Sequence, residues 1–358
     1  MMESSDTTQP TPTELGYGVP AEWDEHRATW TSWPFDDDLW EGYLDGVRLE
    51  LANLVATISR FEPVYLNVRD DAVEEDARNH LNAANADTDN LTFHRVPLND
   101  IWFRDNGPIF IRNEAGQVAL TDWEFNAWGG KYAPWDQDNA APQAVAQTLD
   151  AQRFSVPYVM EGGALEFDGR GTCLSTRSCL LSQQRNPNLS EAETESLLRD
   201  YLGVRHVVWL ERGLIDDHTD GHIDTIVRFT DPHTLVCAVS EDPDNPNHDA
   251  LRRNLDALRA LRDPDGNAYT VIELPLPEKQ PTLNDKYLPL TYANFYIGNG
   301  FVVVPTYQDK NDERALDILR PLFPDRSVIG LPASNLITGG GAFHCVTQQQ
   351  PEGRLGDE

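Results

Sequence analysis

The chain has 358 residues, of which 40% are apolar and nine are tryptophan, a composition typical of a globular protein of one or two domains. Its formal net charge of −31 excludes the basic surface that nucleic-acid binding requires. No apolar run is long enough to cross a bilayer, and the polar first residues lack the features of a signal peptide, so we expect a cytoplasmic protein without membrane contact.

Cysteine and lysine usage are both informative. The four cysteines, Cys173, Cys179, Cys237 and Cys345, show no C-x-x-C spacing, so we expect reduced thiols and no bound metal, with a Cys173–Cys179 bridge as the alternative. Only four of the 28 basic residues are lysine, against 59 acidic residues. Such a surface is typical of a protein that stays soluble in concentrated salt, where screening suppresses self-repulsion.

A helix followed by a strand is the recurring pattern along the chain. Apolar residues recur at helical spacing from 41 to 61, and the apolar run 63–68 then predicts a strand. A capping box of Ser190 and Glu193 supports the start of a later helix. The predicted helices are 41–61, 71–86, 141–154, 190–202, 248–261 and 312–323. The strands that follow them are 63–68, 91–96, 156–160, 204–210, 269–274 and 326–331.

Pairs of short strands, such as those predicted within GPIFIRN…GQVALTD and GALEFDG…GTCLSTR, complete a ββαβ-like unit. Its repetition without a linker predicts one domain over 14–358, built of repeated units in a ring or propeller. The polar start of the chain predicts a disordered tail over residues 1–13. A doubly wound sheet also fits the alternation of helices and strands. No G-x-G-x-x-G or Walker sequence follows an early strand, so a nucleotide site is not expected.

Four loops that follow predicted strands carry the candidate functional residues. They contain Trp102 and Asp105 in NDIWFRDNGP, Glu161 in MEGGALEF, the acidic segment 216–224, and Cys345 in GGGAFHCVTQQQP. Taken singly, each has a structural interpretation: a turn aspartate, an exposed loop carboxylate, or a small buried thiol. His344, beside the cysteine, is interpreted as a structural neighbour.

The segment DDHTDGHID, residues 216–224, is too rich in ionisable groups for a strand-flanked turn without a function. One interpretation is a metal site, because His218, Asp220, His222 and Asp224 alternate along the chain and could present ligands on one face. The other is a pair of His222 and Asp224 that transfers protons and holds a cation. The spacing alone does not decide between them.

The combination of loops is more informative than any one of them. A late thiol, a separate histidine and several carboxylates together indicate nucleophilic attack on a planar cation. Carboxylates would repel an anionic transition state, whereas they pair bidentately with the N–H groups of a guanidinium.

The motifs WFRDNGP, EGG, TDGHID and GGGAFHCVTQQ, with PAEWDEHRATWTSWP near the start, resemble the agmatine deiminase and Porphyromonas-type peptidylarginine deiminase family of the guanidine-modifying pentein superfamily. The resemblance extends over residues 16–351. It implies a five-bladed α/β propeller with pseudo-fivefold symmetry, an active site on the axis, and neither a metal nor an organic cofactor.

The same resemblance implies a function for individual residues. Asp105 and Asp224 would bind the guanidinium, Glu161 would lie near the histidine, and Trp102 would line the substrate channel. Cys345 would be the nucleophile, forming a thiouronium intermediate, and His222 the general acid and base.

One position departs from the family pattern, and it bears on the substrate. His218 stands where agmatine deiminases usually carry an acidic residue, four positions before His222; the adjacent Asp217 could substitute for it. The resemblance implies a small cationic guanidino substrate, agmatine first, converted to N-carbamoylputrescine and ammonia. Arginine, peptidylarginine or another guanidino compound is the alternative, ahead of an amidinotransferase, a metal-dependent hydrolase or a non-catalytic pentein. Both a monomer and a homo-oligomer remain open.

The acidic composition predicts a specific response to salt. Added KCl should screen the repulsion among surface carboxylates, so the unfolding temperature should rise as the salt concentration increases towards the molar range. Thermal unfolding followed by circular dichroism across a KCl series measures this. Greatest stability at low salt, declining as salt is added, would show that the acidic surface is not an adaptation to salt.

Overall fold

The computed structural model of the protein describes residues 10–356. Its α-helices are α1 (Asp37–Trp40), α2 (Leu44–Ile58), α3 (Asp71–Ala83), α4 (Phe103–Asn106), α5 (Ala127–Gly130), α6 (Asp136–Leu149), α7 (Arg177–Leu180), α8 (Glu191–Leu202), α9 (His248–Ala260) and α10 (Asp312–Leu319). The first ten strands are β1 (Tyr17–Gly18), β2 (His26–Ser32), β3 (Val64–Val68), β4 (Leu91–Arg95), β5 (Ile109–Asn113), β6 (Gln117–Glu124), β7 (Arg153–Val159), β8 (Glu166–Phe167), β9 (Thr172–Thr176) and β10 (His206–Leu210). The remaining strands are β11 (Val227–Asp231), β12 (Thr234–Val239), β13 (Thr270–Pro275), β14 (Thr282–Leu283), β15 (Lys286–Tyr287), β16 (Tyr296–Gly298), β17 (Phe301–Thr306), β18 (Ser327–Pro332), β19 (Gln348–Pro351) and β20 (Arg354–Leu355).

Within the described residues the strands form five sheets of three or more strands and the separate hairpin β14–β15. In four of the five sheets an antiparallel pair is followed by a helix and then by a strand parallel to the second strand of the pair. These sheets contain β5–β6–β7, β8–β9–β10, β11–β12–β13 and β16–β17–β18. The predicted ββαβ unit is therefore confirmed, and the class is α/β.

The fifth sheet joins the two ends of the chain. Its order is β19-β2-β3-β4, in which β19 pairs antiparallel with β2, while α2 and α3 connect the parallel strands β2, β3 and β4. Strand β19 begins three residues after Cys345. The N-terminal motif and the C-terminal cysteine segment, remote in sequence, therefore lie in one unit.

Each long helix packs an apolar face on its sheet. The largest buried cluster lies under α2, α3 and α10, and smaller clusters lie under α6, α8 and α9. Each buried cluster excludes water from the strands beneath it, and this burial is the main favourable term that holds the units together.

The predicted helices and strands are present, with differences at their ends. The capping box is confirmed: Ser190 Oγ accepts from Glu193 N, and Glu193 Oε2 accepts from Ser190 N at 2.8 Å. The prediction of a helix over 141–154 was wrong at both ends, since α6 starts earlier and Phe154 lies in β7. Asp136 in its first turn favours the early start, and Asp150 in the left-handed region ends it.

Residues 1–9 of the predicted tail lie outside the described residues. Residue Thr13 is ordered against α8, where its hydroxyl donates to the carbonyl of Arg199 at 2.6 Å. The boundary at residue 13 stays a prediction.

None of the helices in residues 10–356 is both long and apolar enough to cross a membrane. The four cysteines are buried free thiols, so Cys173 and Cys179 do not form a bridge.

Candidate active site

The predicted site residues come from segments that follow the last parallel strands of four sheets. Asp105 follows β4, Glu161 follows β7, His222 and Asp224 follow β10, and Cys345 follows β18. The structure brings these five side chains into one buried region, where every one of them is at most 4% exposed. Loops at the carboxyl ends of parallel strands commonly carry functional residues in this way.

Cys345 lies in a loop that Asn294 holds in place. The Asn294 amide oxygen accepts hydrogen bonds from Ala342 N at 3.1 Å and Cys345 N at 3.3 Å, and its Nδ2 donates to Cys345 Sγ at 3.1 Å. Burial raises the pKa of the thiol well above its ordinary value, and the nearby Asp224 and Asp105 raise it further. In the free site the sulfur is therefore a thiol, and a bound cation would favour the thiolate.

Asp105 is held by two donors. Its Oδ1 accepts from Gly163 N at 3.0 Å, and its Oδ2 accepts from the indole of Trp128 at 2.9 Å. Trp128 has a positive φ of 55°, an unfavourable conformation for a tryptophan, which places its indole against the carboxylate. Burial raises the pKa of Asp105 to about 6, partly opposed by the positive charge of His222.

His222 is fully buried, with Nδ1 at 3.6 Å from Asp105 Oδ1. Burial by itself lowers the pKa of an imidazole, but Asp105, the thiol of Cys179 and Glu161 outweigh that effect and raise the pKa of His222 well above 6.5. His222 is therefore an imidazolium in the free site and can serve as a general acid.

Glu161 lies near His222 and is paired with an arginine. Arg185 Nε donates to Glu161 Oε1 at 3.0 Å, and both side chains are fully buried. Arg185 Nη1 also donates to Asp220 Oδ2. The other oxygen, Glu161 Oε2, has no hydrogen-bond partner.

The metal interpretation of residues 216–224 does not match the geometry. Asp220 pairs with Lys131 at 2.7 Å as well as with Arg185, and His218 Nδ1 interacts with the hydroxyl of Tyr132 at 2.7 Å. His218, Asp220, His222 and Asp224 therefore do not converge as ligands. Over the described residues, the metal-type ligand atoms within 4.8 Å of one another belong to Glu161, Cys179 and His222.

Asp224 is paired with the neighbour of the cysteine. His344 Nδ1 donates to Asp224 Oδ2 at 2.7 Å, and Cys345 Sγ lies 3.6 Å from the same oxygen. Burial alone raises the pKa of a carboxyl group, but the hydrogen bond and charge of His344 outweigh it and lower the pKa of Asp224. The second oxygen, Asp224 Oδ1, is buried without a hydrogen-bond partner.

Gly163 occupies the point where three of these side chains meet. A Cβ atom there would lie 2.6 Å from His222 Nδ1, 2.7 Å from Asp105 Oδ1 and 3.1 Å from Asp224 Oδ2. The second glycine of EGG is therefore required by close approach. Gly341 has the same function in the cysteine loop, since a Cβ there would lie 2.9 Å from Cys345 Sγ.

A cavity of about 220 Å³ leads to this region. Aromatic side chains form much of its wall, and Trp102, which packs on Trp40 with ring centroids 5.8 Å apart, is among them. Trp102 also covers Gly341, so it lies between the cavity and Cys345. Its indole donates to the carboxylate of Asp100 at 2.9 Å.

His218 also lines this cavity. Burial lowers its pKa, and Lys286 and Lys131 add to the effect, so the imidazole is neutral at neutral pH. Asp217 is buried next to it, and its Oδ1 accepts from both the amide and the hydroxyl of Thr219. Asp217 Oδ2 has no partner.

The sequence analysis missed several residues that hold the site together. Glu22, whose Oε2 lies 2.9 Å from His344 Nε2, belongs to the N-terminal motif that supported the resemblance, and this was a usable signal. Trp128, followed by two glycines, gave a weaker one. Asn294 and Arg185 lie in segments without a chemical pattern, and only the tertiary contacts identify them.

The chain is similar over nearly its whole length to proteins of one family. The sequence profile of the Porphyromonas-type peptidyl-arginine deiminase family matches residues 18–351. The agmatine deiminase of Pseudomonas syringae pv. tomato is 36% identical, with 96% of this chain and 98% of the relative covered.

Solved structures show the same relationship. The agmatine deiminase of Enterococcus faecalis superposes with a TM-score of 0.91 at 33% identity, covering 96% of this chain and 98% of that one. A substrate-bound agmatine deiminase of C. jejuni superposes with a TM-score of 0.85 at 30% identity, covering 94% and 97%. The chain has the α/β pentein fold and belongs to the Porphyromonas-type peptidyl-arginine deiminase family.

Proposed function

We propose that the protein hydrolyses the guanidinium group of agmatine to N-carbamoylputrescine and ammonia. The observation that carries the proposal is that Asp224 Oδ1 and Glu161 Oε2 are buried acceptors without partners, in the same site as the thiol of Cys345. A buried carboxylate oxygen without a donor is costly, and a guanidinium supplies several N–H donors in one plane. The similarity to agmatine deiminases over nearly the whole chain favours agmatine among guanidinium compounds.

In the first half of the reaction, Asp105 and Asp224 hold the guanidinium with its central carbon facing Cys345 Sγ. The bound cation favours loss of the thiol proton to solvent, from which the sulfur regains it when the product leaves, and the thiolate attacks the carbon to form a tetrahedral adduct. His222, charged in the free site, donates its proton to the departing nitrogen. Ammonia leaves, and an S-alkylthiouronium remains on Cys345.

In the second half, water takes the position that ammonia vacated. The neutral His222 accepts a proton from this water as it attacks the thiouronium carbon, and collapse of the adduct breaks the bond to sulfur. The ureido product leaves, and Cys345 and His222 return to their starting states. Glu161, held by Arg185, supports the imidazolium of His222 in both halves.

The cavity supports a slender substrate with a cationic far end. Trp40, Trp102 and Trp128 present aromatic faces, which attract cations, and the carboxylates of Glu41 and Asp100 line the same space. A neutral His218 supplies no charge there, so we assign attraction of the far amine to these groups. Asp217 is the nearest acidic neighbour of His218 in the chain, and its free Oδ2 is a further candidate acceptor.

We also propose that the five sheets are arranged as the blades of a propeller around an axis through Cys345. The segment that follows the last parallel strand of each sheet supplies at least one residue of the site. These residues are Asp105, Glu161, His222, Asn294 and Cys345. Convergence of five equivalent segments is the arrangement that pseudo-fivefold symmetry produces.

A panel of guanidinium compounds tests the substrate. Agmatine should give ammonia and a ureido product with a higher kcat/KM than free arginine or a peptidylarginine. Among the described residues that line the aromatic cavity, the exposed Lys286 is the one lysine or arginine, so the cavity offers little positive charge to pair with a substrate carboxylate. Ammonia and ureido product are measured with and without an added amine. Preference for arginine, or transfer to the amine in place of water, would refute agmatine hydrolysis.

Replacing Cys345 tests the nucleophile. Cys345→Ser should abolish ammonia release, since a serine hydroxyl in this site is a much weaker nucleophile, while the circular dichroism spectrum stays unchanged. Cys237→Ser, which replaces a buried thiol in another sheet, is the matched control and should keep its activity. Full turnover by Cys345→Ser would contradict the assignment.

The pKa of Asp105 predicts the acid limb of the pH profile. Asp105 must be ionised to bind a guanidinium, and its pKa in the free site is about 6. As pH falls through that value the carboxylate gains a proton, so kcat/KM, which reports the free enzyme, should fall. Initial rates at low agmatine across a pH series measure this. A kcat/KM that stays constant well below pH 6 would contradict a requirement for ionised Asp105.

The close approach at Gly163 predicts a severe effect of one methyl group. Gly163→Ala should separate His222 from the two aspartates and lower kcat/KM by about 100-fold, since displacements of an ångström are worth that much. Gly18→Ala is the control, because a Cβ there makes only ordinary contacts, the nearest at 3.7 Å. Rates are compared per folded molecule after thermal unfolding has been measured. Near-normal activity of Gly163→Ala would contradict the close packing.

A further inference from the structure

His344 is placed between two carboxylates, and this placement determines its protonation. Its Nδ1 lies 2.7 Å from Asp224 Oδ2, and its Nε2 lies 2.9 Å from Glu22 Oε2. The side chain is 2% exposed, so water does not share either contact. An ionised carboxylate only accepts hydrogen bonds, and a neutral imidazole donates only one. Both contacts are satisfied together when His344 is an imidazolium.

The carboxylate of Glu22 is itself anchored. Its Oε1 accepts from Ile297 N at 2.8 Å, and its Oε2 accepts from Arg228 Nη2 at 2.5 Å in addition to His344. Arg228 is fully buried and also donates to Glu166 at 2.8 Å. Burial alone would raise the pKa of Glu22, but the charges of Arg228 and His344 outweigh it and hold that pKa well below its ordinary value. Glu22 is therefore a fixed anion behind His344.

The contact with His344 makes the two oxygens of Asp224 different. Oδ2 is occupied by His344, whereas Oδ1 is buried and free. Without the ring contact the carboxylate could rotate, and burial would favour its protonated form. A carboxylate fixed on one oxygen and free on the other is suited to accept an N–H from a planar cation.

We propose that His344, held by Glu22, is a positioning residue that fixes Asp224 for binding of the substrate guanidinium. It does not transfer protons in the reaction, because both ring nitrogens are engaged by carboxylates that stay in place. The N-terminal motif thereby acts on guanidinium binding through Glu22, although Glu22 does not touch Asp224. This inference rests on the proposed function of the site.

The charged groups around this pair come from several segments. The groups that face His344 or Glu22 are Asp224, Arg228, Glu166, His26, Tyr296, Arg326 and Arg104, whose Nε donates to the carbonyl of His344. The groups that face Asp224, besides His344, are His222, Arg228, Asp105, Asp217 and Cys345. Of these groups only the thiol of Cys345 also donates to Asp224 Oδ2, at 3.6 Å, so removal of His344 leaves that oxygen without its short, charged donor.

Agmatine binding in a Cys345→Ala background separates positioning from chemistry. Adding His344→Gln removes the charged donor that fixes Asp224 Oδ2, so we expect the Kd of agmatine to rise by about 10- to 100-fold at neutral pH, as loss of a charge-assisted hydrogen bond implies. Adding Glu22→Gln instead leaves the ring but removes its second anion, so the rise should be smaller. Isothermal titration calorimetry measures both.

Two further readouts distinguish positioning from a purely structural effect. The pH below which binding fails should move upward in His344→Gln, because the buried Asp224 then protonates more readily and adds to the effect of Asp105, whose pKa of about 6 sets the limit in the parent protein. Glu22→Gln should add nothing in the His344→Gln background, since Glu22 acts through His344. His80→Gln, which removes the contact of another histidine with a carboxylate, Asp76 in α3, should leave the pH of binding loss unchanged.

The outcomes are decisive in each direction. A folded His344→Gln protein with wild-type Kd and an unchanged pH of binding loss would overturn the inference. If His344→Gln does not fold, Glu22→Gln provides the test, and a Kd equal to wild type in that variant would also overturn the inference. Failure of the parent Cys345→Ala protein to bind agmatine, when the unsubstituted enzyme also releases no ammonia, would instead refute the proposed function.

Discussion

The carboxylates of Asp105, Asp224 and Glu161 are buried around one thiol, and most of the site can be understood as the means of keeping them there. An unpaired buried charge costs several kcal/mol, on the order of the net stability of a domain. Glu161 is therefore paired with Arg185 and Asp224 with His344. Asp105 has two hydrogen-bond donors and a longer contact, 3.6 Å, with His222, and its pKa is raised to about 6.

Because the buried carboxylates are only partly paired, the site is also suited to bind a cation. The partners satisfy one oxygen of Glu161 and one of Asp224 and leave the other free. A cation with N–H donors completes the set, and its charge simultaneously favours ionisation of Cys345. In the proposed mechanism the thiol is protonated in the free enzyme, and the bound substrate promotes the thiolate.

Much of the fold and of the site was predictable from local pattern. Helical spacing, paired short strands and the capping box at Ser190 depend on neighbouring residues, so they predicted the ββαβ unit and most of its elements. Cys345 and His222 were singled out because thiol, imidazole and carboxylate groups occurred in loops after strands. The predicted C-terminal end of α6 was wrong because Asp150, in the left-handed conformation, ends the helix, and local periodicity does not detect such a residue.

The sequence by itself determined the class of fold, the family and the chemical groups that could attack a guanidinium. Only the tertiary structure decided which partners hold those groups, because contacts such as Asn294 with Cys345 or Glu22 with His344 join segments far apart in the chain. It also gave His344, interpreted at first as a structural neighbour, a specific contact with Asp224. Hydrogen-bond partners depend on distance in space, and that distance is set by how the five sheets pack, which no local pattern encodes.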